Sequence, residues 1–345
     1  MTKIAIHRSD NSFSSRWIAY CDRKGIPYKI VNCYATDIIQ QVADCDALMW
    51  HHNHMISKDI LFAKGLLFAL EQSGKVVYPD FKTAWHFDDK VGQKYLLESI
   101  AAPLVNSYVF YDKTSALQWI GDTTFPKVFK LRGGAGSANV KLAKSQSEAI
   151  HLTRKAFGKG FSQNDSIGNL KERIRLFRLG KTSFWDVAKG FIRLVYPTRF
   201  EKIAGREKGY VYFQDFIPDN SFDIRVIVID NKAFAIKRMV RKNDFRASGS
   251  GNILYEKENF DEQTIRLAFD LNKKIQGQSV AFDFVFENEK PKVVEISYGF
   301  LKEGYDSCVG FWDEGMNWHE GRFDSCEWMV DLVIKQISEL NETGR

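Results

Sequence analysis

Short apolar runs and longer stretches of helical spacing alternate along the first eighty residues. "KIAIHRS", "YKIVNC", "DALMWHH" and "KVVYP" read as strands. Between them, "SFSSRWIAYCDRKG", "ATDIIQQVADC" and "SKDILFAKGLLFALEQSG" repeat apolar residues at the spacing of a helix face. Ser57 stands at an N-cap position, and Gly25 and Gly74 fit helix C-termini. Four strands joined by three crossovers imply a small parallel sheet covered by helices, an α/β domain over residues 1–82.

The pattern then changes. "TAWHFDDKVGQKYLLESI" reads as one capped helix, followed by the strands "SYVFY", "KVFKL" and "NVKLA". From Val211 onward strands dominate. "VYFQDF" precedes the pair "FDIRVIVI" and "KAFAIKRMV", joined by the turn-forming Asp230-Asn231. The helix "DEQTIRLAFDLNKKIQG" leads to a second hairpin, "SVAFDFVFENEKPKVVEIS", and a last helix lies near residues 324–340. The expected organisation is α/β followed by α+β, with a middle region at 83–212 and a C-terminal antiparallel sheet at 213–345.

Composition narrows the class. The chain has 345 residues, 44% hydrophobic and 27% charged, which suits a globular protein of two or three domains. It holds no apolar run long enough to span a bilayer, and "MTKIAIHRSD" lacks the apolar stretch of a signal peptide. Cys21, Cys33, Cys45, Cys308 and Cys326 are odd in number and without Cys-x-x-Cys spacing, as expected of free thiols in a reducing cytoplasm; a zinc site is not expected. Residues 159–208 hold 12 Lys/Arg against 5 Asp/Glu, a net of +7, which leaves −1 for the rest. So local a charge argues for one anionic partner and against general nucleic-acid binding.

Three stretches carry chemistry. In "FDFVFENEKPKVVEIS", a turn centred on Glu289 places Asp283 opposite Glu295, with Ser297 on the same face. Opposed carboxylates repel, so a cation is the expected neutraliser, and hard oxygens suit Mg²⁺. A register slip of one residue would instead leave one carboxylate solvated. In the first hairpin, Asp223 faces Arg238, and Arg225 shares their face. These arginines would clamp a phosphate or carboxylate, or else form a surface ion-pair ladder; Lys237 points to the other face. In "FPKVFKLRGGAGSANVKLA" the glycines match neither Gly-x4-Gly-Lys-Ser/Thr nor Gly-x-Gly-x-x-Gly, and the lysine precedes them on a strand.

The order of these parts resembles the ATP-grasp superfamily, in particular its glutamate-ligase branch, over nearly the whole chain except about 45 residues of the basic segment. The resemblance implies ATP and Mg²⁺ as cofactors and amide formation through an acyl-phosphate. Lys90 in "DDKVGQKYLL" and Lys130 in "VFKLRGGAGSANV" then correspond to the phosphate lysines. The glycine loop becomes a lid whose backbone N–H groups, from Gly133 and Gly134 through Gly136 to Ser137, point at phosphate oxygens. "YVYFQDFIP" resembles the strand that reads adenine, which puts Gln214, Asp215, Phe216 and Ile217 around the base and Asp219 near the ribose. Arg225 and Arg238 become phosphate and acyl-phosphate contacts. Asp283, Glu295 and Ser297 become the metal set, Ser297 standing where the family commonly has Asn.

Substrate contacts are expected elsewhere. "MWHHNHMIS" lies at the C-terminal end of a parallel strand, where His51, His52, Asn53 and His54 would bind sugar hydroxyls or a carboxylate, or serve only as a helix-capping loop. "GFWDEGMNWHEG" resembles the ending of ATP-grasp proteins of bacterial surface-polysaccharide synthesis. It makes Trp312, Asp313, Trp318, His319 and Glu320 candidates for a glycan or amine pocket, or for a packed cover. "LKERIRLFRLGKTSFWDVAKGFIRLV" has an apolar stripe at 184, 187, 188, 191, 192 and 195 flanked by basic residues. It suits an anionic membrane at its inner face or a lipid-linked glycan, or else packing on the core. The sequence accommodates a glycan-modifying ligase, a cytosolic peptide or small-molecule ligase, or a non-catalytic nucleotide-binding module.

Overall fold

Four short parallel strands open the chain: β1 (Ile4–His7), β2 (Tyr28–Val31), β3 (Ala47–Met49) and β4 (Val76–Tyr78), in the order β2-β1-β3-β4. Every residue of β1 is buried, as expected of a central strand covered on both faces. Helices Ser14–Lys24 and Ser57–Gln72 make two of the crossovers, and Gly25 ends the first in a left-handed conformation (φ 65°). Two expectations change. The second helix covers only Ile38–Gln41, and Ile56 rather than Ser57 caps the third, Ser57 being its first helical residue.

This computed structural model describes all residues except 1, 135–139, 163–169, 171, 172, 176, 179–181, 196–202, 204, 241–245, 248–250, 344 and 345. The chain forms two compact units. One comprises Met1–Phe87, Tyr95–Leu104 and Asp219–Arg345; the other comprises Asp88–Lys94 and Val105–Pro218.

The second unit holds β5 (Ser107–Phe110), β6 (Lys127–Lys130), β7 (Lys141–Ala143), the small pair β8 (Phe161–Ser162) and β9 (Arg206–Glu207), and β10 (Val211–Asp215). The main sheet runs β5-β10-β6-β7 and is antiparallel throughout. Phe129, Leu131, Val211 and Phe213 lie on one face, packed against Ala116 and Ile120 of helix Lys113–Asp122 and Ala149 and Leu152 of helix Gln146–Ala156. Asp112 and Ser145 cap these helices by accepting from Ser115 and Glu148 backbone N–H groups. The single helix expected at 83–100 is two, Phe81–Ala84 and Lys90–Ser99. Between them Asp88 adopts φ 55°, which a continuous helix cannot hold, and Asp89 accepts a bond from Gly92 N–H.

The remaining strands are β11 (Phe222–Ile229), β12 (Lys232–Met239), β13 (Ile253–Leu254), β14 (Ser279–Glu287), β15 (Lys290–Ser297), β16 (Gly310–Asp313) and β17 (Trp318–Glu320). They form an antiparallel sheet of order β15-β14-β11-β12-β16-β17, with β13 beside β12. On one face Ile224, Val226, Val228, Phe282 and Phe284 pack on Ile265, Ala268 and Leu271 of helix Glu262–Ile275. On the other, Ile227, Ile229, Phe234 and Ala281 join Ile4, Ile6 and Trp17 and the C-terminal helix residues Met329, Val330 and Val333 in one core. Trp17 is fully buried there, so its truncation to Ala would cost about 3–5 kcal/mol.

Candidate active site

On the Ile227 face of the large sheet the apolar positions give way to charge. Asp223 and Arg238 are directly opposed across β11 and β12, and Arg225 and Asp283 across β11 and β14. Asp283 is also opposite Glu295 on β15, and Ala281 opposite Ser297. The turn does not centre on Glu289, as expected from sequence. It is the two-residue Asn288-Glu289, both with positive φ (50° and 63°), and pairing shifts by one residue at a bulge between Phe284/Val293 and Asp283/Glu295. The bulge takes up the extra residue Val294. Val293 and Ile296 therefore both reach the apolar core, while Glu295 joins the Asp283 face.

Arg225 donates to both Asp283 oxygens, Nε to Oδ1 at 2.5 Å and a terminal nitrogen to Oδ2 at 2.6 Å. Arg238 makes the same fork on Asp223 at 2.6 and 2.7 Å and reaches Asp283 Oδ1 at 3.1 Å. The neutralising cations of this ribbon thus include two arginines from neighbouring strands. Burial pushes the Asp283 carboxyl up, but Arg225 and Arg238 overcome it and hold it below the usual carboxylate range. Burial also acts on Asp223, and there it prevails over Arg238, so that carboxyl titrates higher than usual.

These contacts test the fit of a magnesium ion. Asp283 has about four lone-pair positions, of which the arginines occupy three, and Glu295 stands opposite. Two hard carboxylates completed by waters and phosphate oxygens would suit Mg²⁺, which seldom takes an all-protein cage. Among the described residues no group of three or more His, Cys, Asp or Glu is placed to hold a metal ion by itself. Ser297 fits less well than expected, since its hydroxyl donates to Gly299 O at 2.9 Å and accepts from Gly299 N–H at 3.2 Å. Tyr305 was not anticipated from sequence; it is buried and near enough to Arg225 to interact electrostatically with it. No local pattern near Tyr305 signals that contact.

The lysines belong to the second unit. Lys130 is buried at the end of β6, and its Nζ donates to Gln214 Oε1 at 2.6 Å. Gln214 Nε2 donates in turn to Ser107 Oγ at 3.0 Å, which fixes the amide and with it the lysine. Lys90 opens helix Lys90–Ser99 and donates through Nζ to Gly134 O at 2.7 Å, while Gly134 N–H donates to Asp88 Oδ1 at 2.7 Å. That N–H is therefore turned to a carboxylate rather than left for phosphate. A Cβ on Gly133 would stand 3.1 Å from Asp88 Oδ2, and Gly134 has φ 103°, so the double glycine is what lets Asp88 approach. Gly136 and Ser137 lie outside the described residues.

The base-reading strand is bound into its sheet. Gln214 pairs on both sides, with Ser107 and Val128, and Asp215 N–H donates to Asn106 O at 2.9 Å. The Asp215 carboxylate takes Lys127 Nζ at 2.6 Å, an ion pair missed at the sequence level although Lys127 lies three residues before Lys130. Phe216 and Ile217 follow the strand, and Asp219 begins the return to the first unit with φ 61°.

The expected substrate residues fall in two places: His51 Nε2 lies 3.4 Å from where a Cβ on Gly299 would stand, two residues past Ser297, and Trp312, Asp313 and Trp318 to Glu320 lie on the β16–β17 hairpin. His51 and His52 are buried: His51 stacks on Phe13 at 3.7 Å and accepts from its N–H, and His52 packs on Phe87 and Tyr298. Burial lowers the His51 imidazole to about 3 and His86 to about 4, so both rings are neutral supports. His54 lies beyond them, its ring 5.8 Å from Phe87. Trp312 is also core, with Trp318 packed edge-on at 4.6 Å, and Asp313 accepts from Asn317 N–H to close the turn of that hairpin. His319 Nε2 lies 2.7 Å from Asp313 Oδ2, and Glu320 is exposed. Trp312 opposes Ala233, five residues along β12 from Arg238, or roughly 17 Å in an extended strand. The aromatic hairpin and the acidic end of the sheet are separate places.

The fold is that of solved ATP-grasp ligases, one of which is complexed with Mg and ADP. More narrowly, residues 199–308 match the family described as the RimK-like ATP-grasp domain. D-cycloserine synthetase is similar in structure with TM-score 0.61 and 11% identity, covering 97% of this chain and 99% of its own. D-alanine–D-alanine ligase from Bacillus anthracis complexed with ATP gives 0.56 and 12%, covering 100% and 99%. An ATP-grasp ligase complexed with minimal precursor, Mg and ADP gives 0.52 and 13%, covering 97% and 98%. A sequence search of curated proteins finds no match.

Proposed function

We propose that this protein is an ATP- and Mg²⁺-dependent carboxylate–amine ligase that makes an amide through an acyl-phosphate. The opposition of Asp283 and Glu295, with Arg225 and Arg238 bonded into the same face, carries the reading. Phosphoryl transfer asks the protein for positioning and charge neutralisation more than for covalent chemistry, and this set offers both. Magnesium, held by Asp283 and Glu295, would neutralise charge on the transferred phosphoryl group. Lys90 and Lys130 bind phosphate oxygens, with Gln214 orienting Lys130. Arg225 and Arg238 hold the substrate carboxylate and the acyl-phosphate.

The finer reading is an amine or amino acid joined to the carboxylate of a uronic-acid-containing glycan, in cytoplasmic steps of bacterial surface-polysaccharide synthesis. The resemblance of "GFWDEGMNWHEG" supports it. The structural neighbours, among them a D-alanine–D-alanine ligase and a D-cycloserine synthetase, favour amino-acid or peptide substrates instead, which keeps a peptide or small-molecule ligase as the second reading. Incubating the protein with ATP, Mg²⁺, hydroxylamine and panels of uronic acids and amino acids tests both. A ligase yields a hydroxamate with stoichiometric ADP, and the productive carboxylate selects between the readings. Nucleotide binding with neither product across the panels would leave a binding module.

A further inference from the structure

We propose that helix Phe184–Val195 is a docking surface for an anionic lipid bilayer, lying flat with Phe184, Trp185, Phe191 and Ile192 among the acyl chains. The helix is well founded locally. Ser183 Oγ accepts from Asp186 N–H, and the Asp186 carboxylate accepts from Ser183 N–H and from the Thr182 and Ser183 hydroxyls, a reciprocal cap. Its anchored side is the one with Val187, 8% exposed, and Gly190. A Cβ on Gly190 would meet Leu170 Cδ1 at 2.9 Å and Arg173 Cδ at 3.1 Å, so glycine permits that close approach.

The other side is left to solvent. Phe184, Trp185, Phe191 and Ile192 are 65%, 73%, 55% and 59% exposed. At 100° per residue they fall within an arc of roughly 120°, away from Val187 and Gly190. Phe177, also exposed, extends the patch, its ring 6.3 Å from Phe184. Four large apolar side chains on one arc exceed the scatter of single exposed residues on an ordinary surface. Charge identifies the occupant. The surrounding residues 159–208 carry a net +7, and Arg175, Arg178 and Lys189 are exposed beside the patch. A second copy would bring like charge against like, whereas an anionic headgroup layer complements the basic rim while the acyl chains take the rings. Among the described residues no helix is long and apolar enough to cross a membrane, so the contact is peripheral.

Co-sedimentation of the full chain with vesicles, without nucleotide, tests this independently of the ligase reading. Phosphatidylcholine vesicles containing roughly one-third phosphatidylserine should pellet the protein, and phosphatidylcholine alone should not. High salt should release it. Trp185→Ser with Phe191→Ser should weaken binding by on the order of tenfold or more, with an unchanged urea midpoint because both side chains are exposed. Ile192→Asp, a single exposed change, should give the same loss and guards against a double variant that fails to fold. Failure to bind anionic vesicles overturns the proposal, as does equal binding by the variants. A dimer that these substitutions dissociate, without lipid binding, overturns it in favour of self-association.

Discussion

Arg225 grips both oxygens of Asp283 from the adjacent strand, in a pair of which neither side chain is more than 21% exposed. Removing the guanidinium leaves a buried carboxylate with only Arg238 for charge compensation. Arg225→Ala should therefore lose about 3–5 kcal/mol of stability, the range for breaking a buried pair. Urea unfolding reads this directly, and a loss below about 1 kcal/mol would place the pair in the class of exposed ion pairs.

Glu295→Gln keeps the shape of the ribbon but halves its acidic charge. Mg²⁺-dependent nucleotide binding should fall at least tenfold by calorimetry, while binding without Mg²⁺ stays unchanged. Asp283→Asn should lose the same dependence and also stability, because its arginines lose their charged partner. Equal Mg²⁺ dependence in both variants and the parent would remove the acids from the metal role.

Lys130→Ala should abolish turnover. It also strips Gln214 of a buried partner, for a stability cost of about 1–3 kcal/mol. Gln214→Leu, which leaves the lysine but not its orientation, should keep measurable nucleotide affinity with a lowered kcat. Full activity in Lys130→Ala would refute the phosphate role.

His51 and His86 give the fold an acid limit. Their imidazoles titrate near 3 and 4 when folded, against about 6.5 in an unfolded chain, so the unfolded state binds more protons across that window. Stability is then fully present above about pH 6.5 and falls as pH drops toward 4, each ring contributing up to ~1.4 kcal/mol per pH unit. Asp283, lowered by its arginines, adds a further loss only below the ordinary Asp range near ~3.9. Urea midpoints measured from pH 8 to 5 should decline, less steeply in His51→Gln. A flat profile would contradict neutral, buried rings.

Trp312→Ala should cost about 3–5 kcal/mol, because the indole is core. Nucleotide affinity, measured well below the unfolding midpoint, should not change, since that hairpin sits at the far end of β12 from Arg238. A selective loss of affinity in a stable variant would tie the hairpin to the site after all.

Local rules read much of this architecture. Both hairpin registers place Asp223 against Arg238 and Asp283 against Glu295 as the alternation implies. The second pairing arises from a tighter turn and a compensating bulge, not from the turn anticipated. What strand spacing could not supply was strand order: only the neighbouring of β11 and β14 puts Arg225 on Asp283, and nothing in either segment names the other. Burial was the other gap. On the sequence His51, His52 and Trp312 are substrate contacts or else parts of a capping loop and a packed cover, and only the structure shows them buried against Phe13, Tyr298 and Trp318. One-dimensional patterns identify side chains but not what distant segments lay over them.

The core shared by the first and last segments has a consequence for synthesis. Ile4, Ile6 and Trp17 pack with Met329, Val330 and Val333, so the earliest strands emerge from the ribosome more than three hundred residues before their lining. The interior of the Val105–Pro218 unit closes from nearby segments and can be finished sooner. Nascent chains truncated before Ser325 should present that half-built face to chaperones, and chains extended past Glu342 should not.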